Sequence, residues 1–251
     1  MCTLVILRRP DDRWPVLIGA NRDEMIDRPW QPPDRHWPDR PEVVGGLDVL
    51  AGGSWLGIND WGVAAAVLNR QGSLGPAPGR RSRGELVLEA LDHADAVAAA
   101  EALSHLEPEA YRTFNLIIAD DRDAFWMRHA GGARIEVHPL KEGLSMIAAG
   151  EMNDLVGTRR LELAYPAFRE WPAPEPDRDE WGSWESLLGS TRSPPGEPAT
   201  AAMRFRTNGY GTVSSALIAL PARGEDRSPI FRFAAWLPDA TPWHDVFDIP
   251  G

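Results

Sequence analysis

The chain has 251 residues, enough for a sizeable buried core, and a net charge of −11 that would repel a phosphate backbone and excludes a nucleic-acid partner. Its single cysteine, Cys2, excludes an internal disulfide, a paired-cysteine redox motif and a multi-cysteine metal site. Its single lysine, Lys141, lies in His138-Pro139-Leu140-Lys141-Glu142-Gly143, which matches no phosphate loop.

Residues 2–8 are apolar and β-branched and read as a strand, followed by a turn at 11–15 and a second strand over 16–20. These form a hairpin, with Asn21-Arg22-Asp23-Glu24 directly after its second strand. The Pro- and Trp-rich stretch 29–41 reads as irregular, and glycines 45, 46, 52, 53 and 57 punctuate short strands. Residues 62–68 form a buried strand ending in Asn69-Arg70, before a Gly/Pro loop over 72–79. Ser82-Arg83-Gly84-Glu85 has capping-box spacing and opens a helix, and a second, Ala-rich helix spans 94–106. Strands return at 115–119, 124–128, 134–137 and 144–148, then helices at 158–171 and 181–188 with loops over 172–179 and 190–198. A last hairpin pairs 212–220 with 230–236. Clustered strands and clustered helices, without β–α alternation, predict an α+β layered fold in one domain, residues 1–251.

No apolar run approaches the roughly 20 residues of a membrane helix, and no secretory leader precedes the first strand, so a cytoplasmic protein without a membrane span is expected. The six histidines form no metal-spaced pair, and neither a GxGxxG nor a GxSxG motif is present, so no metal site is expected.

Cys2 stands out by position. A lone cysteine is most often a small buried hydrophobe. At residue 2 it has a second use, because Met1 is normally trimmed before a small residue. Trimming leaves an α-amine, which titrates near ~7.7–8.0, beside a thiol that titrates near ~8.5. The amine can then accept the thiol proton and return it to a leaving group. The hairpin brings the end of its second strand back to Cys2, where Arg22 would lower the thiol pKa and Asp23 would orient the amine. Asn69, at another strand end, is placed to donate to a tetrahedral oxyanion.

The ordered set Met1-Cys2, Ala20-Asn21-Arg22-Asp23-Glu24, Arg28-Pro29, Gly46-Leu47-Asp48, Gly53-Ser54-Trp55-Leu56-Gly57-Ile58, Ser82-Arg83-Gly84-Glu85-Leu86-Val87, Phe114-Asn115-Leu116-Ile117 and Tyr210-Gly211-Thr212 resembles the NRDE family, the transport and Golgi organization protein 2 family. That family is similar to N-terminal-nucleophile hydrolases with a cysteine nucleophile, such as choloylglycine hydrolases and penicillin V acylases. The resemblance implies a four-layer αββα sandwich. It implies Cys2, Arg22, Asp23, Asn69 and Asn153 as catalytic residues, with the Arg70 N–H in the oxyanion hole. Asn21, Glu24, Trp55 and Arg70 are the expected substrate contacts. Two departures stand out. Glu151-Met152-Asn153 replaces the family's Leu-Ser-Asn, and Val213 stands where relatives often carry an arginine after Tyr-Gly-Thr; Arg204 or Arg206 would have to substitute.

Two main functions compete. One is a cysteine hydrolase or acyltransferase acting on an amide, ester or thioester, with no cofactor. The other is binding and trafficking of haem, a lipid or an acyl-CoA on a non-catalytic fold. The second draws on 11 tryptophans, among them Trp14, Trp30, Trp37, Trp55 and Trp61 in the first quarter of the chain. Oligomeric state is not legible in the sequence.

Overall fold

A computed structural model describes residues 2–237 and 239–246. Two antiparallel sheets face each other. The first has the order β10-β1-β2-β11-β12-β13, from Gly143–Ile147, Thr3–Arg8, Val16–Met25, Tyr210–Leu220, Ile230–Ala235 and His244–Asp245. The second runs β3 to β9 in chain order, from Trp30–Asp34, Val43–Asp48, Ser54–Asn59, Ala64–Asn69, Phe114–Ala119, Ala124–His129 and Glu136–Pro139. Helices α1 (Gly84–Leu91) and α2 (Ala96–Ser104) cover the second sheet, and α3 (Arg159–Glu170) and α4 (Gly182–Leu188) cover the first.

Strand periodicity explains the layering, since successive side chains point to opposite faces. In β1 and β2, Leu4, Ile6, Val16 and Ile18 meet Leu56, Ile58, Ala66 and Leu68 between the sheets. Their neighbours Val5 and Leu17 pack instead against Leu161, Trp184 and Leu188 of the outer helices. With both faces covered, these strands read as nearly continuous apolar runs. The result is the expected αββα sandwich.

Three local expectations change. Asn21-Arg22-Asp23-Glu24 does not follow the second strand; it is the end of a ten-residue β2. The stretch expected to be irregular contains β3, whose Pro32 and Pro33 are tolerated because the strand lies at a sheet edge. The capping box forms only in part. The Ser82 N–H donates to Glu85 Oε1 at 3.2 Å and Gly84 N–H to Ser82 Oγ at 3.2 Å, while α1 itself begins one residue later.

A glycine contact seats α1 on the second sheet. A Cβ on Gly53 would lie 2.4 Å from the Gly84 carbonyl carbon, a clash with backbone that no rotamer relieves. Gly53→Ala should therefore lower stability by ~1–3 kcal/mol, read as a lower urea midpoint. An unchanged midpoint would show that α1 can lift away freely.

Candidate active site

The β1–β2 register sets Thr3 opposite Asn21 and carries Cys2 to the end of β2. Asp23 N–H donates to Cys2 Sγ at 3.4 Å, and the thiol reaches the Asp23 carbonyl at 3.6 Å. Cys2 shares the inter-sheet face with Leu4, so its sulfur looks into a slot between the sheets lined by Arg22, Trp55, Leu56, Leu68 and Ser214. The slot holds about 20 Å³, the room of about one water molecule.

Alternation along β2 sends Arg22 and Asp23 to opposite sides of the sheet. Arg22 enters the slot, with its guanidinium carbon 4.1 Å from the Trp55 ring centroid. Its Nη2 lies 3.5 Å from Asp48 and 3.9 Å from Glu24, while its buried Nη1 has no hydrogen-bond partner. Burial lowers the Arg22 pKa. Asp23 turns toward the outer helices. There Arg160 Nη1 lies 2.7 Å from Asp23 Oδ2, and Thr212 Oγ1 donates to Asp23 Oδ1 at 2.7 Å. The Tyr210 hydroxyl donates to the Asp23 carbonyl at 3.2 Å.

The Arg22 charge favours the Cys2 thiolate as expected, but other causes outweigh it. Burial pushes the Cys2 thiol up, the Asp23 carboxylate pushes it further, and these outweigh the Asp23 backbone hydrogen bond. Burial and the Asp23 charge thus favour the neutral thiol. Met1, whose removal would expose the α-amine, lies outside the described residues.

The other expected residues divide between the slot and its supports. Glu24 is not among the slot's lining residues; it lies 3.9 Å from Arg22 and 3.8 Å from Arg28, which binds Asp48 through Nε at 2.7 Å and Nη2 at 3.0 Å. Trp55 lines the slot and meets Trp30 edge-on. Asn21 also borders the slot, but its amide faces away. It donates to the Leu188 and Met203 carbonyls at 3.0 and 2.8 Å and accepts from Ser215 Oγ at 2.5 Å. That side chain ties α4 to β2.

Asn69 ends β6, one residue beyond Leu68 of the slot. The Arg70 guanidinium is spent elsewhere, on Asn115 Oδ1 at 2.8 Å, the Gly150 carbonyl at 3.0 Å and Glu151. Asn153 is exposed at φ 57°, and its Oδ1 accepts from Met146 N–H at 2.8 Å while Nδ2 donates to Ser145 Oγ at 3.3 Å.

Sequence reasoning missed Arg160 and Thr212 as the partners of Asp23. Neither proposed late arginine takes that place. Arg204 stacks on Trp236 at 4.4 Å, and Arg206 is exposed beside Gly211. Val213 sits fully buried at a register shift of β11, where Thr212 pairs with Asp23 and Ser214 with Arg22. The legible signal was Tyr210-Gly211-Thr212, singled out as a motif without a role. Asn115, also inside a quoted motif, proves to be a hub. It donates to the Ala148 and Gly150 carbonyls at 3.1 and 2.9 Å and accepts from Arg70 and Trp126 at 2.8 and 3.1 Å.

This arrangement is the sandwich of N-terminal-nucleophile hydrolases. An N-acylethanolamine-hydrolyzing acid amidase ortholog from Caenorhabditis elegans superposes with a TM-score of 0.56 at 14% identity, covering 89% of this chain and 94% of that one. A mutant conjugated bile acid hydrolase from Clostridium perfringens gives 0.54 at 13% identity, covering 100% of this chain and 94% of that one. At such identities the likeness shows the fold alone.

The chain belongs to the Transport and Golgi organisation 2 family, whose model matches residues 1–171. A mouse Transport and Golgi organization 2 homolog is 38% identical over 115 residues, covering 42% of this chain, and a cattle homolog is 40% identical over the same length and share. The matched region spans 38% of the length of these relatives. Among the described residues, no helix is long and apolar enough to cross a membrane.

Proposed function

We propose that this protein is an N-terminal-cysteine hydrolase or acyltransferase acting on an amide, ester or thioester. The observation that carries the reading is Cys2 Sγ seated on the Asp23 N–H in a slot shared with the unpartnered Nη1 of Arg22. In this reading Met1 is removed. The Cys2 amine takes the thiol proton, and sulfur bonds to the substrate carbonyl carbon. Arg22 stabilises the developing thiolate, and Asn69 and the Arg70 N–H are the proposed oxyanion donors, while Asn153 is held in its own turn by Met146 and Ser145. The tetrahedral intermediate expels an amine, alcohol or thiol, which takes the proton from the ammonium. Water or an amine then attacks the thioester and its proton passes to the Cys2 amine; collapse breaks the carbon–sulfur bond, releases a carboxylic acid or amide, and the ammonium returns its proton to sulfur to restore the thiol.

Intact mass after incubation with p-nitrophenyl acetate tests the reading. The expected product is the chain without Met1 carrying one acetyl group, formed faster on the native protein than on the urea-unfolded chain and absent in Cys2→Ala. With a single cysteine, an acetyl thioester can form only at Cys2, and its cleavage by neutral hydroxylamine distinguishes it from an acetylated amine. Native labelling no faster than unfolded labelling would sink the proposal.

A further inference from the structure

Beside the start of β11 lies a cavity of about 310 Å³ that shares no lining residue with the Cys2 slot. Arg204, Phe205, Trp236 and Leu237 form much of its wall, and Arg206 adds a second positive charge. Its volume falls in the range of small-molecule sites. At about 30 Å³ per water-sized group it takes about ten heavy atoms.

Its charge runs against the rest of the molecule. The chain carries a net −11, and ion pairs occupy many of its arginines. Among the described residues, the Arg204 and Arg206 side chains make neither an ion pair nor a hydrogen bond. Arg204 is nevertheless fixed. Its guanidinium carbon lies 4.4 Å from the Trp236 ring centroid. That ring is held in turn by its indole N–H, which donates to Ser215 Oγ at 2.6 Å, and Ser215 donates to Asn21. The Arg204 Nε is buried and has no acceptor. A buried donor without an acceptor costs about 1–3 kcal/mol. A cation immobilised with an unused N–H edge is matched by a planar anion with two oxygens, which a guanidinium binds through two parallel hydrogen bonds. Phe205, Leu237 and Ala199 supply apolar wall for the rest of such a ligand.

We propose that this cavity binds a small organic carboxylate with an apolar body, anchored by Arg204. The site stands apart from the chemistry proposed for Cys2. It does adjoin that machinery, since Thr212 borders the cavity and donates to Asp23.

Benzoate is a suitable probe for the ¹⁵N-labelled full chain. It should shift the Trp236 indole N–H signal saturably, that signal being assigned by its loss in Trp236→Phe. Benzamide, of the same shape without the charge, should leave the signal in place. Arg204→Gln should weaken benzoate binding at least about tenfold, while Cys2→Ala should leave it unchanged. No saturable shift through the millimolar range, an equal response to benzamide, or unchanged affinity in Arg204→Gln would each overturn the proposal. Loss of binding in Cys2→Ala with retention in Arg204→Gln would place the ligand in the slot and overturn it equally. The benzamide comparison needs no variant, so the test survives an Arg204→Gln protein that fails to fold.

Discussion

Replacing Arg160 with methionine should cost about 3–5 kcal/mol of stability, the usual result of removing one partner from a buried ion pair. The Asp23 side chain is fully buried, and that of Arg160 is 5% exposed. Methionine keeps much of the volume packed against Phe205 but removes the charge and the donors to Asp23, Thr3 Oγ1 and the Thr200 carbonyl. The desolvated carboxylate of Asp23 then loses this cation. The measurement is the urea midpoint at unchanged m-value, and Arg160→Met combined with Asp23→Asn should recover part of the loss. A cost under about 1 kcal/mol, as for an exposed pair, would refute the assignment.

Asn115→Ala should be the second costly change, at about 3 kcal/mol or more. The side chain is wholly buried and joins four partners, so truncation removes the Asn115 partner of the Trp126 indole N–H and the Ala148 carbonyl and leaves the Gly150 carbonyl to Arg70. Arg70 and Glu151 remain paired, which caps the loss. The distinguishing readout is local. The segment 148–151 should become sensitive to limited proteolysis at urea concentrations that leave the sheets folded. Equal protection in variant and wild type would show that Arg70 alone holds the segment.

The order of strands and helices was legible because apolar periodicity and turn residues mark them, and the four layers followed from the family resemblance. The end of β2 was not. A run as polar as Asn21-Arg22-Asp23-Glu24 reads as a turn until each side chain has a partner, and those partners are remote. Arg160 lies 137 positions from Asp23, and Ser215 lies 194 from Asn21. The place of Arg22 beside Cys2 was legible, and its charge does favour the thiolate, but burial and Asp23 outweigh it. Burial and the Asp23 carboxylate are properties of packing that spacing does not encode. Asn153 stood on a motif match, and its left-handed backbone and turn hydrogen bonds are visible only in three dimensions.

The hydrogen bond that seats the Cys2 sulfur comes from the main chain of Asp23. Every residue except proline offers that same N–H, so a mutational scan of position 23 would report on the carboxylate and stay blind to the sulfur contact. Asp23→Ala would separate the two roles within one residue, sparing the donor while discarding the ion pair. Only a one-residue slip between β1 and β2 would move the donor itself, and such a slip would also turn every core side chain of the strand to the wrong face. Alignment of the Cys2 sulfur is thereby inherited from the folding of the first hairpin.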